Sequence, residues 1–155
     1  IMKKIKLLYD AIRSPYDIAH VIQIALALDC EIYTAGNSIP FDNKKIVDKI
    51  RSWNITSYPK VTHFETFEEA VNTLRSEGNI LVGTSGAATK SFYELDCSEG
   101  NIVIVFGNES SGLTTYKQSL LDDLVKLPMN TSVDFLTLPV VTAAIAYEIN
   151  RQFYF

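Results

Sequence analysis

The sequence contains very few cysteines and no long hydrophobic run. Cys30 and Cys97 are the only two cysteines in 155 residues, and neither has a CxxC or Cys/His spacing, which argues against a disulfide framework or a zinc site. The longest strongly apolar segment, residues 139–147, is far shorter than the roughly 20 residues that cross a bilayer. The N-terminal residues also lack a signal peptide's apolar run. We therefore expect free thiols, no bound metal, no membrane span and a cytoplasmic location.

Basic charge is also scarce. The chain has 14 Lys and Arg against 18 Asp and Glu, which gives a formal net charge of −4. Because non-specific nucleic-acid affinity grows with the number of phosphates neutralised, this balance argues against broad coating of a nucleic acid. We expect no DNA partner, and any RNA contact must be local. Trp53 and the tyrosines do not alternate with basic residues along the sequence, so no aromatic stacking surface is predicted.

Short apolar runs alternate with amphipathic segments along the whole chain, and no repeat or linker-like tract interrupts them. This alternation predicts a single α/β domain over residues 1–155, with helices flanking a mostly parallel sheet. The last helix is apolar around most of its circumference, so it must lie in the core or at a subunit interface. The predicted strands are 6–10, 31–34, 60–64, 79–83, 101–106 and 124–127, and the predicted helices are 15–27, 42–53, 66–76 and 139–153.

A glycine-bounded loop, residues 107–114, follows the apolar strand 102–106. Its spacing imitates a phosphate-binding P-loop, but Leu113 stands where that motif needs a lysine to meet the β- and γ-phosphates. A leucine cannot neutralise a triphosphate, so the ligand should be adenosine-like and poor in phosphate, held by backbone groups that glycines let it approach. S-adenosylmethionine fits that description.

Three segments, in order along nearly the whole chain, resemble the SpoU/TrmH-like branch of the SPOUT RNA methyltransferases. They are LYDAIRSPYDIA at 8–19, IVFGNESSGL at 104–113, and LPM at 127–129 followed by LTLPVVTAAIAYE at 136–148. The resemblance implies methyl transfer to ribose 2′-hydroxyls of tRNA or rRNA, a C-terminal trefoil knot and a homodimer. It places the last helix in the dimer interface, where an acidic residue at Val141 should break the dimer.

The resemblance also assigns the residues that hold S-adenosylmethionine. Taken alone, these glycines would be expected to turn the chain and the leucines to fill the core, whereas the joint pattern favours cofactor contact. The assigned residues are Val82, Gly83 and Thr84 on the adenosine side, and Gly107, Leu127 and Leu136 in the three loops of the knot.

The catalytic positions depart from the family pattern. Asp17 stands in place of an asparagine, and Gln23 in place of an arginine proposed to activate the ribose hydroxyl. Thr137 and Pro139 replace an asparagine and a serine, which leaves Glu109 as the matching acid. A glutamine amide does not titrate near neutral pH, so Gln23 can orient a hydroxyl or phosphate but cannot accept its proton.

Methyl transfer to an alcohol still needs a positioned proton acceptor. Asp17 and His20, three residues apart on one helix face, are candidates for it. Each also has a structural alternative: Asp17 as the acid of a capping box with Ser14, and His20 as a surface or interface residue. Glu109 could instead bond backbone N–H groups, and Thr137 could cap the last helix.

Two functions follow from this pattern. The first is an S-adenosylmethionine-dependent RNA 2′-O-ribose methyltransferase acting as a dimer, with catalytic candidates Glu109, Gln23, Asp17 and Thr137 and with tRNA as the favoured substrate. The alternative is a catalytically weak or inactive knotted dimer that binds S-adenosylmethionine, RNA or both.

Overall fold

The computed structural model describes residues 2–155 and contains one six-stranded sheet. Its strands are β1 (Lys6–Asp10), β2 (Glu31–Ala35), β3 (Val61–Phe64), β4 (Ile80–Thr84), β5 (Ile102–Phe106) and β6 (Asp123–Val125). The strand order is β3-β2-β1-β5-β4-β6, and all five strand pairs are parallel. From β1 the chain adds β2 and β3 outward on one side. It then crosses over to place β4, inserts β5 between β4 and β1, and ends with β6 at the far edge. The chain therefore leaves the neighbouring strands β1 and β5 in opposite directions.

Five α-helices connect or follow the strands. They are α1 (Pro15–Leu28), α2 (Lys44–Ser52), α3 (Phe67–Ser76), α4 (Thr115–Ser119) and α5 (Leu138–Tyr154). The α/β class and every long predicted element are confirmed. The differences lie at element ends, where fraying and local hydrogen bonds decide the boundary: β6 begins one residue earlier and ends two residues earlier than predicted, and α2 lacks the first two and the last of its predicted residues.

Capping residues set where two of these helices begin. The Ser14 hydroxyl accepts a hydrogen bond from the Asp17 backbone N–H at 3.2 Å, and the Thr66 hydroxyl accepts one from the Glu69 N–H at 3.1 Å. Pro15 occupies the first turn of α1, where its missing N–H costs nothing. Thr137 does occupy the N-cap position of α5, but its side chain makes no capping hydrogen bond, so the capping role considered for it does not hold.

The alternation of side chains along the strands divides the core between the two faces of the sheet. Leu7 and Tyr9 of β1 face one side, together with the buried faces of α1, α2 and α5. Leu8 faces the other side, where α3 packs. Such burial on both faces explains why the central strands β1 and β5 are almost uninterrupted apolar runs.

Polar groups are few in this core, and those present are satisfied. The Tyr9 hydroxyl lies 2.8 Å from Thr142 Oγ1, which ties β1 to α5 in the interior. Cys30 and Cys97 are buried free thiols, and burial raises the pKa of each thiol to about 12. Both therefore remain protonated, unreactive core residues at neutral pH.

Two expectations concern the chain's large-scale arrangement. Across residues 2–155, none of the helices is both long enough and apolar enough to traverse a bilayer. The C-terminal trefoil knot implied by the resemblance stays a prediction.

Candidate functional site

A cavity of about 630 Å³ opens at the carboxyl ends of β4, β5 and β6, beside the point where the strand order reverses. Ligands of open parallel sheets bind in such a position because successive loops diverge there. Three loops and one face of α5 form its wall. The lining residues are Thr84–Gly86, Phe106–Gly112, Val125–Leu127, Met129, Asp134–Leu136, Leu138, Val141 and Ile145.

The loop after β5 is folded tightly upon itself. The Asn108 side-chain oxygen accepts hydrogen bonds from the Ser110 and Ser111 N–H groups at 2.9 and 3.2 Å, and its amide donates to the Ala11 carbonyl at 2.7 Å. The backbone of Gly112 returns so close to Gly107 that a Cβ at Gly107 would lie within 3.0 Å of it. Gly107 is therefore required by the loop's own closure.

Glu109 connects this loop to the neighbouring strand's loop. Its Oε1 accepts a hydrogen bond from the Arg13 backbone N–H at 2.8 Å, across 96 residues of sequence. The other oxygen, Oε2, is buried without a partner among the described residues. A buried carboxylate oxygen with unused acceptor capacity is costly. Glu109 lines the cavity, so a movement of its side chain would bring this oxygen to a donor on a bound molecule.

The segment between β6 and α5 supplies the third side of the cavity and is unusually apolar for an exposed loop. Met129, Phe135 and Leu136 line the cavity and are 39%, 68% and 38% exposed. Met129 belongs to a segment that carries the resemblance, but neither Met129 nor Phe135 is among the residues assigned to the cofactor, although apolar residues in a segment rich in turn-forming residues were a usable signal. Asn108 was also missed, and its position two residues before a serine is typical of an Asx turn.

Most residues assigned to the cofactor are brought together by the fold. The cavity wall contains Thr84, Gly107, Leu127 and Leu136. Val82 and Gly83 lie outside it: Val82 is fully buried in the larger core cluster, and a Cβ on Gly83 would meet Leu121 and Leu124. They can support the adenosine-side loop but do not themselves border the cavity.

The residues assigned to catalysis are more scattered. Glu109 lines the cavity, and Thr137 is exposed between two lining residues, Leu136 and Leu138. Asp17 and Gln23 lie on α1 outside the lining, where Gln23 is exposed. Desolvation raises the pKa of Asp17, and the nearby His20 opposes that rise. The Asp17 N–H bonds Ser14, but no return bond from its carboxylate completes a capping box within residues 2–155.

The cavity's chemistry suits a mostly apolar ligand with a few polar edges. Leu127, Phe106 and Ile145 offer apolar contact, and the three loops present backbone donors and acceptors. Lys126 is the one basic residue in the wall, beside the acids Glu109 and Asp134. This balance fits an adenosine-like molecule that carries little negative charge. It does not fit a triphosphate, as the leucine at position 113 predicts.

Residues 4–147 match the family model described as the SpoU rRNA Methylase family. Among curated proteins, the 23S rRNA (guanosine-2'-O-)-methyltransferase RlmB of Pseudomonas aeruginosa is 39% identical over 79 residues, 51% of this chain and 32% of that protein. Its namesake from Ralstonia nicotianae is 25% identical over 146 residues, 94% of this chain and 58% of that protein. The chain thus spans well under two thirds of these curated relatives.

Solved structures share the fold over nearly the whole chain. The SpoU methyltransferase AviRb from Streptomyces viridochromogenes, in complex with the cofactor AdoMet, has a TM-score of 0.81 at 23% identity, covering 98% of this chain and 62% of that one. A structure that concerns the 2-OH methylation of C/U34 on tRNA has a TM-score of 0.84 at 24% identity. The match covers 97% of this chain and 96% of that one.

Proposed function

Because this chain belongs to the SpoU rRNA methylase family, we propose that it is an S-adenosylmethionine-dependent methyltransferase acting on a ribose 2′-hydroxyl of RNA. The observation that carries the proposal is the cavity at the carboxyl ends of β4 to β6, which is lined by Glu109, a residue whose Oε2 has no partner among residues 2–155. We favour tRNA over rRNA because a structure described by tRNA methylation shares this fold over 97% of the chain with a TM-score of 0.84. Such an enzyme would act in the cytoplasm.

The residues of the cavity fit S-adenosylmethionine, which when bound supplies a methyl group on a sulfonium. In our proposal, Leu127 and Leu136 contact its adenosine, and the backbone of the Gly107 loop bonds its polar edges. Thr84 borders the same space from the end of β4. The apolar wall excludes water from the place of transfer, which strengthens every hydrogen bond formed there.

Glu109 is the group best placed to act on the RNA hydroxyl. Its Oε1 accepts from the Arg13 N–H, while Oε2 is buried without a partner among residues 2–155, and in our proposal substrate binding turns this oxygen toward the cavity. We propose that Oε2 accepts the hydrogen bond of the ribose 2′-hydroxyl and takes its proton as the methyl is transferred. Asp17, Gln23 and Thr137 would then contact the RNA around the cavity entrance, a role that stays a prediction.

A direct test combines binding and transfer. The protein is titrated with S-adenosylmethionine by calorimetry and then incubated with unmodified total RNA and a radiolabelled methyl donor, and tRNA and rRNA are separated afterwards. Label as ribose-methylated nucleotide in tRNA supports the proposal in full, and label only in rRNA corrects the substrate. Absence of S-adenosylmethionine binding refutes the cofactor assignment.

A catalytically weak or inactive binding protein is the second candidate. The observation that favours it is the position of Gln23, which lacks a titratable proton and is exposed on α1 outside the cavity lining. In the experiment above, this candidate predicts S-adenosylmethionine binding without label in any RNA.

Replacing Glu109 with glutamine tests the proposed proton acceptor. The amide keeps the shape and can still accept from the Arg13 N–H, but it cannot take a proton. We expect turnover to fall about 100-fold, in the range typical of general bases, with nearly unchanged S-adenosylmethionine affinity. Single-turnover label transfer and calorimetry measure the two effects. The exposed Glu99→Gln variant is the control, and full activity of Glu109→Gln would remove Glu109 from the mechanism.

The exposed face of α5 supports a homodimer. Val140, Tyr147 and Tyr154 recur every seven residues, so they lie on one face of the helix. Their exposures are 51%, 57% and 57%. An apolar stripe of this length on a monomer is a candidate interface. Val141, expected at the interface from the sequence, also lines the cavity, so its substitution would disturb ligand binding as well.

We expect Tyr147→Asp to convert the dimer into a monomer, because an unpaired carboxylate would be buried in the proposed interface. Light scattering coupled to size-exclusion chromatography measures the change. Tyr116→Asp is the matched control, since Tyr116 on α4 is 56% exposed and lies away from α5. A monomeric wild-type protein, or a Tyr147→Asp variant that remains dimeric, would contradict this interface.

A further inference from the structure

Four side chains that are separated in sequence form a continuous surface cluster beside the start of α1. The Lys49 ammonium lies 5.5 Å from the centroid of the Trp53 ring. The Trp53 and His20 ring centroids are 4.8 Å apart, and those of His20 and Tyr16 are 4.6 Å apart, the latter pair meeting edge to face. Contrary to the sequence-based expectation, the fold therefore does place aromatic rings next to basic residues.

The outermost ring of this cluster is not accounted for by core packing. Tyr16 is 64% exposed, whereas His20 and Trp53 are half-buried beneath it. Half-burial of Trp53 contributes to the packing of α1 and α2. Tyr16 gains little from its position in the monomer, and its ring is held in place by the T-shaped contact with His20. The result is an accessible aromatic surface of fixed orientation.

The cluster also lies on the most basic element of the chain. Four of the nine residues of α2 are Lys or Arg, and only Asp48 is acidic. Asp48 pairs with Lys44, while Lys49 and Arg51 form no ion pair within residues 2–155. A local excess of free cations on a chain of net charge −4 gives this surface a charge complementary to a phosphate backbone.

Its position links it to the cavity. Arg13, whose N–H is held by Glu109 of the cavity wall, directly precedes the Ser14 cap of α1. Tyr16 follows within the first turn of that helix. The start of α1, and with it Tyr16, is therefore tied to the cavity wall through this hydrogen bond.

We propose that this surface, made of Tyr16, His20, Lys49 and Trp53, binds unpaired nucleotides of single-stranded RNA. A base stacks on the exposed Tyr16 ring, and Lys49 contacts an adjoining phosphate. Stacking on an aromatic ring needs an unpaired base and tolerates any sequence, so the surface selects loops over duplex. The inference rests on the proposed function for its RNA substrate. It adds that the RNA strand crosses this surface after it leaves the cavity.

The test measures fluorescence anisotropy of a labelled single-stranded oligouridylate and of an RNA duplex of equal length. We expect wild-type protein to prefer the single strand, and Tyr16→Ala to weaken single-strand binding about 10-fold, as expected for losing one stacked base. Lys49→Glu should weaken binding and lower the slope of log affinity against log salt concentration by about one, the value for one lost phosphate contact. Tyr93→Ala is the control, because Tyr93 is comparably exposed, 62%, but lies outside the surface.

Unchanged oligouridylate binding by Tyr16→Ala, or no binding by the wild-type protein, would overturn the proposal. A change in mass by light scattering in Tyr16→Ala would overturn it as well, because the surface would then be a contact between two copies of the chain. The methyl-transfer assay is independent of this result: loss of single-strand binding in Tyr16→Ala, in a protein that labels no RNA, would support this surface and refute the proposed activity.

Discussion

Replacing Gly107 with alanine is expected to lower the affinity for S-adenosylmethionine about 100-fold. The added Cβ would lie within 3.0 Å of backbone atoms of Gly112 and Leu113, and backbone cannot move aside as a flexible side chain can. Overpacking of this kind typically costs about 1–3 kcal/mol, and about 3 kcal/mol corresponds to the expected loss in affinity. The loop must open, which displaces the backbone groups that face the cavity.

Gly86→Ala is the matched control for this prediction. Gly86 also lines the cavity, but a Cβ there would meet nothing within 4 Å, so its affinity should stay close to that of the wild type. Calorimetry gives the two affinities, and thermal unfolding shows whether Gly107→Ala still folds. A folded Gly107→Ala variant that binds S-adenosylmethionine as tightly as Gly86→Ala would show that the loop does not hold the ligand.

Replacing Lys117 with methionine is expected to cost about 3 kcal/mol of the free energy of unfolding. Lys117 Nζ lies 2.6 Å from Asp10 Oδ2, and the Asp10 side chain is only 4% exposed. Methionine keeps the apolar stem but leaves a buried carboxylate without its cation, and breaking a buried pair in this way typically costs about 3–5 kcal/mol. The lower end applies because the Lys117 side chain is 29% exposed.

Urea unfolding compares this variant with Lys44→Met, which breaks an exposed pair whose side chains are 87% and 57% exposed. Exposed helix pairs contribute only about 0.3–0.5 kcal/mol, so Lys44→Met should be almost as stable as the wild type. The double variant Asp10→Asn with Lys117→Met should recover part of the loss, since no buried charge remains. Equal stability of the two single variants would mean that water already screens Asp10.

The family resemblance and much of the loop chemistry could be read from the sequence because they depend on near neighbours. Leu113 argues against a triphosphate through its position in one motif. The capping hydroxyls of Ser14 and Thr66 act on N–H groups three residues ahead. Gly107 is assigned to the cofactor by the resemblance, whereas the need for a glycine there is visible only in the structure, where Gly112 folds back against it.

The catalytic and interface residues were harder to place because their roles depend on which faces meet. Val140 and Val141 are adjacent and chemically identical, yet one is exposed on α5 and the other lines the cavity. A helix rotates about 100° per residue, so an error of one residue exchanges an exposed surface position for a position in the cavity wall. The contact between Trp53 and His20 likewise could not be predicted from the spacing of tryptophan and lysine along the sequence. Lys49 lies over the same Trp53 ring.

The sequence by itself determined the alternating α/β pattern, the positions of the long helices and strands, and the glycine-bounded loop after β5. These follow from local periodicity, capping and turn preferences, which act over a few residues. Only the tertiary structure decided that β1 lies beside β5, which brings Arg13 to Glu109. Strand order is set by burial and packing between distant segments, and local propensities carry no information about it.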